Sequence, residues 1–172
     1  MHPERSQTDE ELLQTVIAQL AGRDVLLVDD CAEDREKYAL WLAAAGARIE
    51  QTSTLAGARR AFGTRPWAAL VVDRLLPDGD ALAWLTREAS TRASIPPCVV
   101  VSGDLDAKTY RSVYDIGAVP VPKQHMLHRD VLIAAISSAW RFASQPPKTD
   151  PLQAVLANPL MARRPRRSNG EP

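Results

Sequence analysis

Two adjacent carboxylates, Asp29 and Asp30, follow the apolar run Val25-Leu26-Leu27-Val28, and a third, Asp73, follows Ala69-Leu70-Val71-Val72. A hydroxyl, Ser102, follows Cys98-Val99-Val100-Val101, and an ammonium, Lys123, follows the segment from Ala118 to Pro122. Taken singly, each has an ordinary use. Asp29 or Asp30 can cap a helix, Asp73 can open a turn, Ser102 can cap a helix N-terminus, and Lys123 can be a solvated charge. Together they place three carboxylates, a hydroxyl and an ammonium at the same end of four apolar runs, which is the composition of a reaction site. Carboxylates held that close repel one another, so the pocket must either protonate one or recruit a divalent cation.

The elements that would position these residues follow from the pattern. Runs apolar at every position and separated by helical stretches are what parallel strands buried on both faces look like. The chain therefore reads as an open α/β sheet, in which ligands bind in the crevice beyond the carboxyl ends of the strands. The expected order is a helix from Thr8 to Ala21, opened by the capping box Thr8-Asp9-Glu10-Glu11, then a strand ending at Val28. A helix from Ala32 to Ala45 stopped by Gly46, a strand from Ala47 to Gln51 and a helix from Leu55 to Phe62 come next. The third strand ends at Val72, Pro77-Asp78-Gly79 make a turn, and a helix runs to Thr91. A strand ending at Val101, a helix from Ala107 to Ile116 closed by Gly117, a fifth strand to Pro122 and a helix from Met126 to Ala143 complete the domain. Pro120 and Pro122 cannot donate to a ladder, which puts the fifth strand at a sheet edge. On the first helix, Leu12, Leu13, Val16, Ile17 and Leu20 share one face. That stripe either packs on its own domain or serves as a surface for a partner or for a second copy in a homodimer.

With 172 residues the chain can hold one domain with a substantial core plus short appendages. The 21 basic and 21 acidic residues cancel, so no general attraction to nucleic acid or to an anionic membrane is expected. Cys31 and Cys98 fit no Cys-x-x-Cys or Cys/His ligand spacing and read as reduced structural thiols. Residues Met1 to Arg5 lack a signal pattern, and no apolar run approaches the roughly 18 residues that cross a bilayer. A cytoplasmic location with no membrane attachment is expected. Beyond Gln145 the composition changes to Pro146, Pro147, Pro151, Pro159, Pro165 and Pro172 with Arg163, Arg164, Arg166 and Arg167, a flexible tail unable to build a core. The organisation expected is an extension over 1–22, a domain over 23–145 and a disordered tail over 146–172.

Over roughly Arg23 to Ser144 the chain resembles the receiver domain of response regulators in two-component signalling. The residues that carry the resemblance stand in order: Asp29 and Asp30, then Asp73 followed by Arg-Leu-Leu-Pro-Asp-Gly, then Ser102 with Gly103, then Lys123. The resemblance implies a flavodoxin-like (βα)5 doubly wound parallel sheet with strand order 2-1-3-4-5. It implies a stand-alone, single-domain regulator in which Asp73 is the phosphoacceptor, taking a phosphoryl group from a histidine kinase or phosphotransfer protein and signalling by binding a downstream protein. Only self-directed phosphotransfer and dephosphorylation would follow, so no enzyme acting on an outside substrate is expected. Hard oxygens that must also accept a phosphoryl group suit Mg²⁺. By the resemblance Asp30, Asp73 and the backbone carbonyl of Leu75 would bind it directly, and Asp29 through water. Ser102 and Lys123 would hold the phosphoryl oxygens as charge spreads over them.

Two departures from the receiver pattern stand out. Receivers usually carry an aromatic residue three before the Lys, and here it is Pro120; Tyr110 or Tyr114 can take that relay role or simply pack. Receivers also usually follow the Lys with a cis proline, whereas Gln124 follows and Pro122 precedes, leaving open the direction from which Lys123 enters. His125 and His128 lack a third ligand and read as surface residues. Three other functions share parts of this pattern. A haloacid-dehalogenase type of enzyme needs an acid two residues beyond its nucleophile, where counting from Asp29 gives Cys31. A phosphorylation-independent adaptor with the same fold would need none of the acidic triad, Ser102 or Lys123. A nucleic-acid-binding protein has only the tail arginines for nonspecific phosphate attraction.

Overall fold

The computed structural model describes residues 4–144, with side chains from residue 10 onward. The proposed tail over 146–172 lies outside the described residues. In chain order the elements are α1 (Glu4–Leu20), β1 (Asp24–Val28), α2 (Ala32–Ala44), β2 (Arg48–Thr52), α3 (Leu55–Phe62), β3 (Ala69–Asp73), β4 (Leu75–Leu76), β5 (Gly79–Asp80), α4 (Ala81–Thr91), β6 (Cys98–Ser102), α5 (Ala107–Asp115), β7 (Val119–Pro122), a 3₁₀ turn (Lys123–His125) and α6 (Arg129–Ser144).

Five strands form one parallel sheet in the order β2-β1-β3-β6-β7. Setting aside the two-residue strands β4 and β5, this is the 2-1-3-4-5 order of a flavodoxin-like fold. The three central strands, β1, β3 and β6, are the apolar runs of the sequence, and all but the first residue of β1 are buried. Because successive side chains alternate faces, the runs divide between two cores. Val25, Leu27, Val71, Val99 and Val101 meet α1, α2 and α6, while Leu26, Val28, Leu70, Val72 and Val100 meet α3, α4 and Val113 of α5. The edge strand β2 is only partly buried and correspondingly polar. On the other edge, β7 pairs only with β6 among the described residues, with Pro120 opposite Val100, and an edge position tolerates a residue that cannot donate.

Glycines set the helix exits at two places. Gly46 (φ 78°) and Gly117 (φ 75°) take left-handed conformations just past α2 and α5, and each returns an N–H to the last helical turn, to Ala43 and Tyr114 at 2.8 Å.

Several boundaries differ from the sequence expectation. Helix α1 begins at Glu4, so the Thr8 capping box lies inside it; nothing between Glu4 and Thr8 breaks a helix, and a capping pattern alone is a weak stop. Its stripe packs on its own domain through Leu13, Val16 and Leu20, whereas Leu12 is 39% exposed. The turn at Pro77-Asp78 closes a small antiparallel hairpin, β4–β5, which the sequence did not announce. The last helix starts at Arg129 rather than Met126, because Met126 is fully buried as a core plug after the 3₁₀ turn. Cys98 is buried, which pushes its thiol up to about 12, while Cys31 is exposed beside the start of α2.

Candidate functional site

Both Asp73 and Ser102 are the last residues of their strands, one position further into the sheet than the apolar runs suggest. Register places Asp73 opposite Val101, so the third-strand carboxylate and the β6 hydroxyl emerge side by side. Val28 of β1 lies opposite Val72, which brings Asp29 and Asp30 to the same rim. Lys123 leaves the end of β7 on the 3₁₀ turn.

The side chains converge. One oxygen each from Asp29, Asp30 and Asp73 lie within 4.8 Å of one another. Lys123 Nζ stands 2.7 Å from Asp73 Oδ2, 3.3 Å from Asp29 Oδ2 and 3.6 Å from Asp34 Oδ2. Lys123 therefore enters the pocket although Gln124, not proline, follows it. Asp29 is 1% exposed and Asp73 6%, whereas Asp30 faces solvent. Asp29 Oδ1 accepts the Cys31 N–H at 2.9 Å, and Asp73 Oδ1 accepts that of Leu75 at 3.3 Å. Asp29 Oδ2 is buried and accepts no hydrogen bond, despite the ammonium nearby. Leu75 itself sits in β4 directly beside the Asp73 carboxylate.

Electrostatics favour a cation. Burial, opposed by Lys123 and reinforced by Asp73, pushes the Asp29 carboxyl up to about 6. Burial also raises Asp73, with Lys123 and the Leu75 N–H working the other way. For Lys123, burial opposes the charge, but Asp73 and Asp29 outweigh it and hold the ammonium above its ordinary range. A buried carboxylate oxygen that meets Lys123 as an ion pair at 3.3 Å without hydrogen-bond geometry, beside two further hard oxygen ligands, fits a divalent cation of the oxygen-seeking kind.

The remaining expected residues are present with qualifications of geometry. The hydroxyl of Ser102, 2% exposed, donates to the Asp104 carbonyl at 3.0 Å and accepts the Asp104 N–H at 3.3 Å, closing the loop that follows β6. Tyr114 packs edge-on against Phe142 with ring centroids 6.1 Å apart, the packing role. His125 and His128 are exposed.

Two residues at the site were not anticipated. Asp34 joins Lys123 from the first turn of α2 and also pairs with Lys37 at 2.6 Å. Arg35, on the same turn, donates to the Asp29 carbonyl at 2.7 Å and fixes the backbone that carries the acidic pair. The signal available in the sequence was a charged first turn immediately after Asp29-Asp30. Arg74, next to Asp73, reaches across to Thr109 Oγ1 at 3.1 Å and toward Asp80 at 3.4 Å, tying the end of β3 to the start of α5.

No protein-family model and no curated protein matches this sequence. Solved structures do match. A two-component response regulator from Clostridium difficile shares 15% identity at a TM-score of 0.61, over 72% of this chain and 99% of that one. The receiver domain of a Francisella response regulator shares 15% identity at a TM-score of 0.62, over 71% and 99%. A response regulator from Burkholderia pseudomallei, solved with a phosphorylated aspartic acid, a calcium ion and citrate, shares 18% identity at a TM-score of 0.57, over 78% and 84%. This chain adopts the fold of response-regulator receiver domains.

Proposed function

We propose that the protein is a response regulator whose Asp73 accepts a phosphoryl group from the phosphohistidine of a histidine kinase or phosphotransfer protein. The observation that carries this reading is the pairing of Lys123 Nζ with Asp73 Oδ2 at 2.7 Å, within the cluster formed with Asp29 and Asp30. The phosphorylated aspartic acid and calcium ion of the Burkholderia structure support it by likeness of fold.

In the reaction an Asp73 carboxylate oxygen forms the new bond to phosphorus as the bond to the donor imidazole nitrogen breaks. The imidazole leaves with that electron pair and takes a proton from solvent. Asp29, Asp30, Asp73 and the Leu75 carbonyl would hold Mg²⁺, which supplies positive charge against the phosphoryl oxygens. Lys123 exchanges part of its hold on Asp73 for one of those oxygens, and Ser102 turns its hydroxyl from Asp104 to another. The protein is thus a phosphoacceptor rather than an enzyme for an outside substrate. It acts in the cytoplasm, where such donors present their phosphohistidines, and its signal passes to a protein partner.

Incubating the protein with a small acyl phosphate and Mg²⁺, then weighing it intact, tests the reading. One phosphoryl group should be gained, dependent on Mg²⁺ and lost in Asp73→Asn. Equal labelling of Asp73→Asn, or none of the wild type, would favour the phosphorylation-independent adaptor, to which Pro120 and the local Ser102–Asp104 bond lend support.

A further inference from the structure

Lys123 does not hold its three neighbouring carboxylates equally. Lys123 has three donors, and its distances rank Asp73, Asp29 and Asp34 in that order, at 2.7, 3.3 and 3.6 Å. The two nearer carboxylates belong to the acidic cluster, and Asp34 does not. A cation bound there draws on the oxygens that Lys123 now holds, so cation and ammonium compete for Asp29 and Asp73. Asp34 is the anion left to Lys123 when it yields. It uses its two oxygens separately, Oδ1 for Lys37 at 2.6 Å and Oδ2 for Lys123. Lys37 is itself anchored on α2, its ammonium 5.0 Å from the Tyr38 ring and 5.9 Å from that of Trp41. The three side chains form a line of alternating charge running from the outer face of α2 into the pocket.

We infer that Asp34 is a positioning residue: it draws Lys123 away from Asp29 and Asp73, easing cation entry, and Lys37 weakens that pull by sharing the same carboxylate. The inference rests on the proposed cation and phosphoryl site. Without Asp34 the ammonium settles fully on Asp29 and Asp73, and Mg²⁺ must displace it. Without Lys37 the Asp34 carboxylate is free for Lys123, and Mg²⁺ enters more easily.

Calorimetric titration of the unphosphorylated protein with Mg²⁺ tests this. Asp34→Asn should raise the Mg²⁺ Kd by roughly threefold, the scale of one partly exposed ion pair, Asp34→Glu should restore most of the affinity, and Lys37→Met should lower the Kd by about twofold. A pure through-space effect is controlled by Glu33→Gln, which removes the same charge from an exposed position on the same turn. Its shift should be much smaller. In a Lys123→Met background the effect of Asp34→Asn should disappear, as a double-mutant cycle requires of residues that act through each other. Equal shifts for Glu33→Gln and Asp34→Asn, or shifts of the same sign for Asp34→Asn and Lys37→Met, overturn the inference while leaving the site reading intact. A wild type that binds no Mg²⁺ overturns both. The Glu33 and Lys37 comparisons decide the question even where Lys123→Met does not fold.

Discussion

Asp29→Asn should make the metal-free protein more stable. The side chain is 1% exposed, and its carboxyl is pushed up from 3.8 to about 6, chiefly by burial and secondarily by Asp73. A rise of that size corresponds to roughly 3 kcal/mol by which the fold disfavours the anion. The isosteric amide keeps an oxygen for the Cys31 N–H, now bonded at 2.9 Å. It also gives up the contact between Asp29 Oδ2 and Lys123 Nζ at 3.3 Å, although the ammonium retains Asp73 and Asp34. That attraction is already contained in the rise to about 6, so the expected gain is about 3 kcal/mol at pH 7. The sign with pH is fixed by proton counting. Between 3.8 and about 6 the folded wild type holds more of this proton than the unfolded chain, so its stability falls as pH rises through that window. The advantage of the variant should accordingly be near zero below about pH 4 and complete above about pH 6.5. Urea denaturation with chelator at several pH values measures it. Adding Mg²⁺ should stabilise the wild type and not the variant. A variant that is less stable than wild type at pH 7 without metal, or whose difference is flat with pH, would refute the reasoning and make the Asp29 carboxylate a structural cap for the start of α2.

Other perturbations have equally definite outcomes. Lys123→Met leaves Asp29 and Asp73 buried without their cation, and should cost about 3 kcal/mol or more in urea at pH 7. It should also slow phosphoryl uptake by roughly 100-fold, read by intact mass against time. Asp78→Ala removes the carboxylate that accepts the N–H groups of Leu55 and Ala56 at 2.7 and 2.8 Å, and should lower stability by about 1 kcal/mol. Hydrogen exchange with a phosphoryl mimic should change most over Gly103 to Thr109, because the Ser102 hydroxyl must release the Asp104 carbonyl and Arg74 bridges that loop to Thr109. Change confined to α1 would refute that route.

The fold was legible because β1, β3 and β6 each carry four consecutive apolar residues, as a strand covered on both faces requires. Once those runs are strands of one parallel sheet, their carboxyl ends share an edge, and the meeting of Asp29, Asp30, Asp73 and Lys123, with Ser102 at the same rim, follows from it. What lay hidden depends on contacts that periodicity does not encode. The hairpin β4–β5 has two residues per strand, too few to show alternation, and its fit against α3 depends on Gly79, where a Cβ would come within 2.8 Å of Leu55 Cδ2. Asp34 reads as an ordinary acidic residue in a helix first turn; that it meets Lys123 is decided by the angle at which α2 leaves β1 relative to the end of β7. Ser102 marks the remaining boundary between the two kinds of knowledge. Its type and place follow from the strand pattern, but its hydroxyl is engaged with both the carbonyl and the N–H of Asp104. On the proposed function, a phosphoryl oxygen would have to outcompete those local bonds. On that reading the serine would link occupancy of the site to the conformation of the loop after β6, through local bonds that the spacing of the residues does not reveal.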